Sequence, residues 1–250
     1  MAGERWRLLR TWDAPPGFNM AFDEALLVSS NATPVLRLYT WSPGALSLGY
    51  FQRYDEVRAK LRARMGEREL PPMVRRLTGG GAIHHVNELT FSIAAPATHP
   101  LYAGPIAGSY ERVHAVIARA IGRFGATAEV RAARVPSSDD AESPMCFHGS
   151  AAVDLIWGGR KGVGSAQRRV REHGGRVLHH GSIKLGTSKL EGAIATLDGV
   201  GAEEMGEALS VEFEERLGVV MEEGAPEEAV LLHARAREGF FGGDEFLRRK

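Results

Sequence analysis

The sequence predicts an α+β protein, and three observations carry that expectation. Its 250 residues are 44% hydrophobic and 25% charged, ordinary proportions for a globular chain long enough to bury a substantial core. Short apolar runs rich in Val, Leu, Tyr and Trp, bounded by Gly and Pro, mark strands. Between them lie longer stretches with apolar residues at helical spacing.

The first strand is RWRLLRTW, residues 5–12, and the helical stretch NMAFDEALLVSS follows with Asn19 expected as its N-cap. PVLRLYTW and ALSLGYFQ read as strands joined by Ser42, Pro43 and Gly44, a turn composition. DEVRAKLRARMG, from Asp55, is a solvated, charge-laced helix. MVRRL leads into three glycines, and NELTFSIAAP continues as strand. Residues 106–124 form a long helix whose apolar stripe is Tyr110, Val113, Ile117, Ala120 and Ile121. ARVPSSDDAESPM is polar and proline-containing, a surface loop that delivers Cys146. AAVDLIW and GVGSAQRRV form a hairpin turning at Gly158–Gly159, and RVLHHGSIKL is another strand. After Ser188 the chain is mostly helical and charged, with APEEAVLLHARAREGFF its clearest helix and no legible chemistry.

Composition removes several function classes. The formal net charge is zero, so a nucleic-acid partner has no global electrostatic support. No apolar run approaches membrane-spanning length, and MAGERWRLLRTW lacks the apolar core and cleavage site of a secretory signal. The single cysteine, Cys146, excludes an internal disulfide framework and any multi-cysteine metal site. His84–His85 and His179–His180 are adjacent pairs that point to opposite faces of a strand, which disfavours zinc. The expectation is a cytoplasmic protein with no membrane, nucleic-acid or metal partner.

The stretch RRLTGGGAIHH, residues 75–85, asks why the most flexible residue type occurs three times running. A phosphate-binding loop would open a helix or carry a lysine, and AIHHVNELTFSI does neither. A tight turn or bulge between strands accounts for the run equally well. A backbone wall against which a narrow ligand lies without side-chain interference is the third reading, and the run alone does not choose.

Two further segments, GRKGVGSAQRR and LHHGSIKL, tip the balance. With RRLTGGGAIHH they resemble the three motif blocks of the lipoate–protein ligase and octanoyltransferase family, relatives of biotin–protein ligases. FNMAFDEALL, LRLYTWSPGALSLGYFQ and ELTFSI extend the likeness across about residues 5–187, in the family's order. The resemblance implies one catalytic domain over residues 1–250, with a mixed β-sheet flanked by helices and a narrow acyl tunnel, followed by a helical part over 188–250. The glycine run becomes part of the tunnel wall. Burial contributes about 0.8 kcal/mol per methylene, so roughly six methylenes supply on the order of 5 kcal/mol but little discrimination per carbon. Chain length must then be selected by a closed tunnel end. The implied substrate-binding residues are Arg75, Arg76, Gly79, Gly80, Gly81, His85, Gly164, Ser165, Ala166, His180 and Gly181.

The family holds two chemistries: ligases that activate a free acid with ATP and Mg, and transferases that take octanoyl from a carrier-protein thioester without a nucleotide. In one transferase branch a Cys-Phe precedes the motif lysine by fifteen residues, and here Cys146-Phe147 and Ser150 precede Lys161 at that spacing. Gly81 and Val86 depart from that branch, which often has arginine and usually aspartate there. The chemistry is coherent on its own terms. A thioester is already activated, so passing its acyl group to a cysteine is nearly isoenergetic, and an amine then attacks the acyl-cysteine. A free thiol with a pKa of about 8.5 is mostly protonated at neutral pH, and a cation beside it, Lys161, would lower that pKa and meet the oxyanion.

The expected function is octanoyl transfer from octanoyl-acyl carrier protein to a lysine of lipoyl domains, such as glycine cleavage H protein or a 2-oxoacid dehydrogenase E2. The alternatives are an ATP-dependent ligase, an amidotransferase between lipoyl domains, and a non-catalytic paralogue. Both protein partners are acidic in this family, and Arg168, Arg169, Arg171, Arg176, Arg75 and Arg76 are the candidates for a salt-sensitive docking surface.

Overall fold

The computed structural model describes residues 3–65, 70–140, 142–149, 151–172 and 174–249. Gly66, which closes the expected second helix, and Ser150 of the motif lie outside the described residues.

In chain order the strands are β1 (Glu4–Ala14), β2 (Val35–Trp41), β3 (Ala45–Leu48), β4 (Met73–Arg75), β5 (Ile83–His85), β6 (Glu88–Pro96), β7 (Glu129–Val130), β8 (Leu155–Trp157), β9 (Arg160–Val170), β10 (Arg176–Lys184) and β11 (Val219–Glu223). The helices are α1 (Pro16–Val28), α2 (Tyr54–Met65), α3 (Ile106–Gly122), α4 (Ala202–Leu217), α5 (Glu228–Gly242) and α6 (Asp244–Leu247). Among the described residues, eight strands form one sheet in the order β11-β1-β2-β6-β10-β9-β8-β7, and β4-β3-β5 form a second. β1 runs parallel to β2 and to β11, while the pairs from β2 through β7 are antiparallel, so the large sheet is mixed as expected.

Period-two alternation gives the large sheet two different faces. Leu36 and Leu38 of β2, Leu89, Phe91 and Ile93 of β6, and Val177 and Ile183 of β10 pack on the apolar sides of α3 and α4. The opposite face carries Val35 and Tyr39 and meets α1 and α5. On that face the central strands become polar: Arg37, Thr90, Ser92, His180, Ser182 and Lys184 are all buried there. The small sheet lies over this polar region, and the functional cavity is the space between.

Two expectations are corrected, on Asn19 and on the segment after Ser188. Asn19 is not an N-cap, because the helix begins at Pro16, whose missing N–H is no loss in a first turn. Asn19 is instead fully buried, donating to Ala14 O and Thr40 O and accepting from Arg37. The two strands joined through Ser42–Gly44 are both present; β2 and β3 belong to different sheets, and Ser42–Pro43 is a cis peptide. The segment after Ser188 is not only helical: β11 extends the large sheet beside β1. The expected hairpin at Gly158–Gly159 is present, with φ of 55° and 73° at the two glycines.

Candidate active site

Cys146 opens a single 3₁₀ turn, Cys146–His148, that follows the polar loop. Its backbone is fixed just past the glycine run, since Cys146 N donates to Ala82 O at 2.7 Å. Its side chain is half-buried and faces a cavity with about 410 Å³ of empty space, its mouth included.

Lys161, on β9, is buried and places Nζ 3.6 Å from Cys146 Sγ. The same ammonium lies 2.8 Å from Asp154 Oδ2 and donates to Cys146 O at 2.9 Å and Gly149 O at 3.1 Å. Burial disfavours its charge, but the adjacent sulfur and Asp154 outweigh that, so its pKa is raised. An ammonium has three protons. Asp154 and two carbonyls already take them, so the sulfur feels Lys161 chiefly as a fixed charge. An oxyanion on the acyl group would be met only in exchange for one of those carbonyls.

Asp154 was not foreseen from the sequence. It stands at the entry to β8, accepts from Ala151 N at 2.7 Å, and is set opposite Lys161 by the β8–β9 hairpin. The available signal was a carboxylate leading directly into the apolar run LIW.

The cavity is walled by residues from both sheets. Ten sequence-predicted residues line it: Arg76, Gly79, Gly80, His85, Cys146, Gly164, Ser165, Ala166, His180 and Gly181. Lys161 lies behind Cys146, and a Cβ built on Gly164 would fall 3.3 Å from its Nζ and 3.5 Å from Sγ. Gly81 is not in the lining; a Cβ there would lie 2.7 Å from Cys146 N and 2.8 Å from its Cα. Position 81 is therefore closed to any side chain, because the atoms it would strike are backbone. Gly80 has φ of 97°, and its carbonyl presses against Gly49. The run thus serves close backbone approach on two sides as well as forming part of the wall.

Arg75 is placed elsewhere. Adjacent strand residues face opposite ways, and the buried Arg75 guanidinium donates to the carbonyls of Gly49, Tyr50, Gln52, Phe246 and Leu247. It ties the C-terminal helix to the small sheet. Arg76 faces the cavity and holds the glycine run, donating to Gly79 O at 2.8 Å and Gly81 O at 2.7 Å. Burial lowers its pKa to about 10, which leaves it charged at neutral pH.

The far wall is a hydrogen-bonded polar network. His85 donates through Nδ1 to Glu88 Oε1 at 2.6 Å, stacks on Trp41 at 3.9 Å and meets Ser47 Oγ at 2.7 Å. Burial lowers the His85 pKa, so it is neutral. Burial opposes ionisation of Glu88, but Lys184 and His85 outweigh it and hold that carboxyl well below the usual range. Lys184 also pairs with Glu191 at 2.7 Å, so the segment after Ser188 does enter the network behind the site. His180 donates through Nδ1 to Asp23 at 3.0 Å, and Asp23 also receives Arg37, Tyr39 and Ser92. His84 and His179 point away from the cavity, as alternation requires. Of the arginines considered for docking, Arg75, Arg76 and Arg176 are buried, whereas Arg169 and Arg171 are exposed and Arg168 half-buried.

Residues 15–215 match the family described as the lipoyl protein ligase A/B catalytic domain. The chain is 43% identical over 188 residues to octanoyltransferase LipM of Moorella thermoacetica, a match covering 74% of this chain and 67% of that one. It is 33% identical over 192 residues to octanoyltransferase LipM of Bacillus subtilis, with coverage of 74% and 67%. Its backbone is similar to that of a lipoate-protein ligase A bound with ATP, at a TM-score of 0.74 and 22% identity, covering 99% of each chain. It is similar as well to a bi-partite lipoate protein ligase of Thermoplasma acidophilum, at a TM-score of 0.73 and 21% identity, covering 99% of this chain and 98% of that one. At those identities the two structures establish the fold alone.

Proposed function

This chain belongs to the lipoyl protein ligase A/B catalytic domain family, and from that premise we propose that it is an octanoyltransferase of lipoate biosynthesis working through Cys146. The observation that carries the reading is the 3.6 Å approach of Lys161 Nζ to a sulfur that faces the cavity. A ligase acting on an adenylate has no use for that sulfur.

The donor is octanoyl-acyl carrier protein. Its alkyl chain enters the cavity, and Sγ, as thiolate, attacks the thioester carbonyl. The carbon–sulfur bond to the donor breaks, and the donor thiol leaves with the proton Cys146 gave up. Octanoyl then rests on Cys146 as a new thioester of nearly equal energy, so no nucleotide or metal is consumed. A lipoyl-domain lysine, as the neutral amine, attacks the same carbonyl, loses its proton and regenerates the thiolate beside Lys161.

Lys161 stabilises negative charge on sulfur at both ends of this cycle, and Asp154 keeps the ammonium charged and in place. The cavity walls contribute apolar contact from Met20, Trp41 and Ile83 along the chain, with backbone where Gly79, Gly80 and Gly164 pass. The acceptor is a lipoyl domain of a 2-oxoacid dehydrogenase E2 or a glycine cleavage H protein, and we place the reaction in the cytoplasm. No helix among the described residues is long and apolar enough to cross a membrane.

Incubation with octanoyl-acyl carrier protein, without ATP, tests this reading. Transfer to a lipoyl domain that is abolished in Cys146→Ser is the expected result. Transfer only with ATP and free acid would replace the transferase with a ligase.

A further inference from the structure

The transferase reading leaves open where the acceptor sits, and the rim of the cavity answers it. A lysine amine lies at the end of a four-carbon stem about 6 Å long. The acceptor's folded surface must therefore come within that reach of the acyl carbon and rest on the rim itself. A thioester donor is under no such constraint, since any acyl chain that fills the cavity presents its carbonyl to Sγ.

The rim nearest Cys146 can be traced residue by residue. Gly81 packs on the Cys146 backbone, and a Cβ on Gly79 would lie 3.8 Å from the Phe51 ring. Consecutive Cα atoms are 3.80 Å apart, so the glycine run spans at most about 8 Å between those contacts. Phe51 is 84% exposed, an aromatic ring left in solvent at the mouth of an apolar site. It packs edge-on against Tyr50, whose amide donates to Thr78 O at 2.7 Å, anchoring this loop to the chain that leads into the glycines.

The same rim is positively charged. Arg168 is two residues beyond the cavity-lining Ala166 on the same face of β9, and its guanidinium lies 5.1 Å from the Tyr50 ring centre while donating to Leu77 O. Arg249 lies over the same ring at 3.9 Å. Both guanidiniums lie near the Tyr50 ring, and among the described residues neither is paired with a carboxylate. Arg249 lowers the Tyr50 pKa, first through a hydrogen bond to the phenol and then through its charge, to which Arg168 adds. An exposed aromatic anchor beside unpaired arginines fits an acidic surface with one apolar contact.

We propose that Phe51, Tyr50, Arg168 and Arg249 form the docking platform for the acceptor, a folded acidic domain whose target lysine reaches over Gly79 and Gly80 to acyl-Cys146. The inference rests on the transferase reading and names that site's second partner.

The test separates the two half-reactions. Parent, Phe51→Ala and Arg168→Glu are loaded from octanoyl-coenzyme A, and occupancy of Cys146 is read by intact mass. Each acyl-enzyme is then discharged to an E2 lipoyl domain or to hydroxylamine. The expected result is equal loading and equal discharge to hydroxylamine, with discharge to subsaturating lipoyl domain at least tenfold slower in both variants. The gap between parent and Arg168→Glu should narrow as salt is raised. Unchanged discharge to the lipoyl domain overturns the proposal. So does an equal loss toward hydroxylamine, which would mark a structural lesion. Slowed loading from octanoyl-acyl carrier protein with unchanged discharge assigns the rim to the donor and also overturns it. If the parent fails to load at Cys146 from either thioester, the transferase reading itself falls, and this is read before any variant.

Discussion

Asp154 and Lys161 form a buried ion pair at 2.8 Å, and through it a positive charge is held beside Cys146. Both side chains are almost fully excluded from solvent. Removing one partner leaves an uncompensated buried charge, at a cost of about 3–5 kcal/mol. Asp154→Asn should therefore lower the free energy of unfolding by that order, measured by urea titration. Pairing Lys161→Met with Asp154→Leu should recover part of the stability while transfer stays abolished. If transfer recovers with stability, the pair is structural and the charge is not needed at the sulfur.

Gly81→Ala isolates the placement of Cys146, the nucleophile proposed above. The added methyl strikes Cys146 N and Cα, which move only with the whole 3₁₀ turn. We expect a stability cost of about 1–3 kcal/mol. Displacement of about 1 Å costs catalysis on the order of 100-fold, so transfer should fall more than stability. Loading from octanoyl-coenzyme A by a variant that still unfolds cooperatively checks this, and parent-like loading would show that the turn adapts.

Acid should destabilise the fold before it reaches ordinary carboxylates. Burial lowers the pKa of His84 from 6.5 to about 4, and it lowers those of His85, His114 and His179 as well. Near neutrality these histidines are uncharged in both states. As pH falls through about 6.5 the unfolded chain binds protons that the folded chain refuses, so stability declines toward pH 4. Asp23 and Glu88 act in the same direction lower down. Burial opposes their ionisation, but His180 and Arg37 for Asp23, and Lys184 and His85 for Glu88, hold their pKa values down. The stability they contribute is present above the ordinary carboxylate range and lost as pH falls toward the folded values. A melting temperature that drops steadily from pH 7 to pH 4 is expected; a flat profile would contradict it.

Cys146 and Lys161 were legible because their fifteen-residue spacing and flanking residues resemble those of one transferase branch: a cysteine behind a polar loop, and a lysine just past a two-glycine turn. Most of the cavity wall was legible for the same reason. Asp154 was missed because its partner is chosen by hairpin register, which places residues seven apart in sequence side by side. Arg75 was grouped with Arg76 although strand alternation sends them to opposite sides, and only Arg76 reaches the cavity. β11 was missed because VVMEE is short, with only Val219 buried, and its partner β1 lies more than 200 residues away. The Asp23 and Glu88 networks were illegible since each gathers side chains from several strands, a property of topology and not of any local pattern.

The most direct test is the intact mass of the protein after incubation with octanoyl-acyl carrier protein in the absence of nucleotide. One octanoyl group on Cys146, discharged when a lipoyl domain is added and missing from Cys146→Ser, is the predicted result. An unmodified protein that nevertheless octanoylates the lipoyl domain would contradict the covalent route.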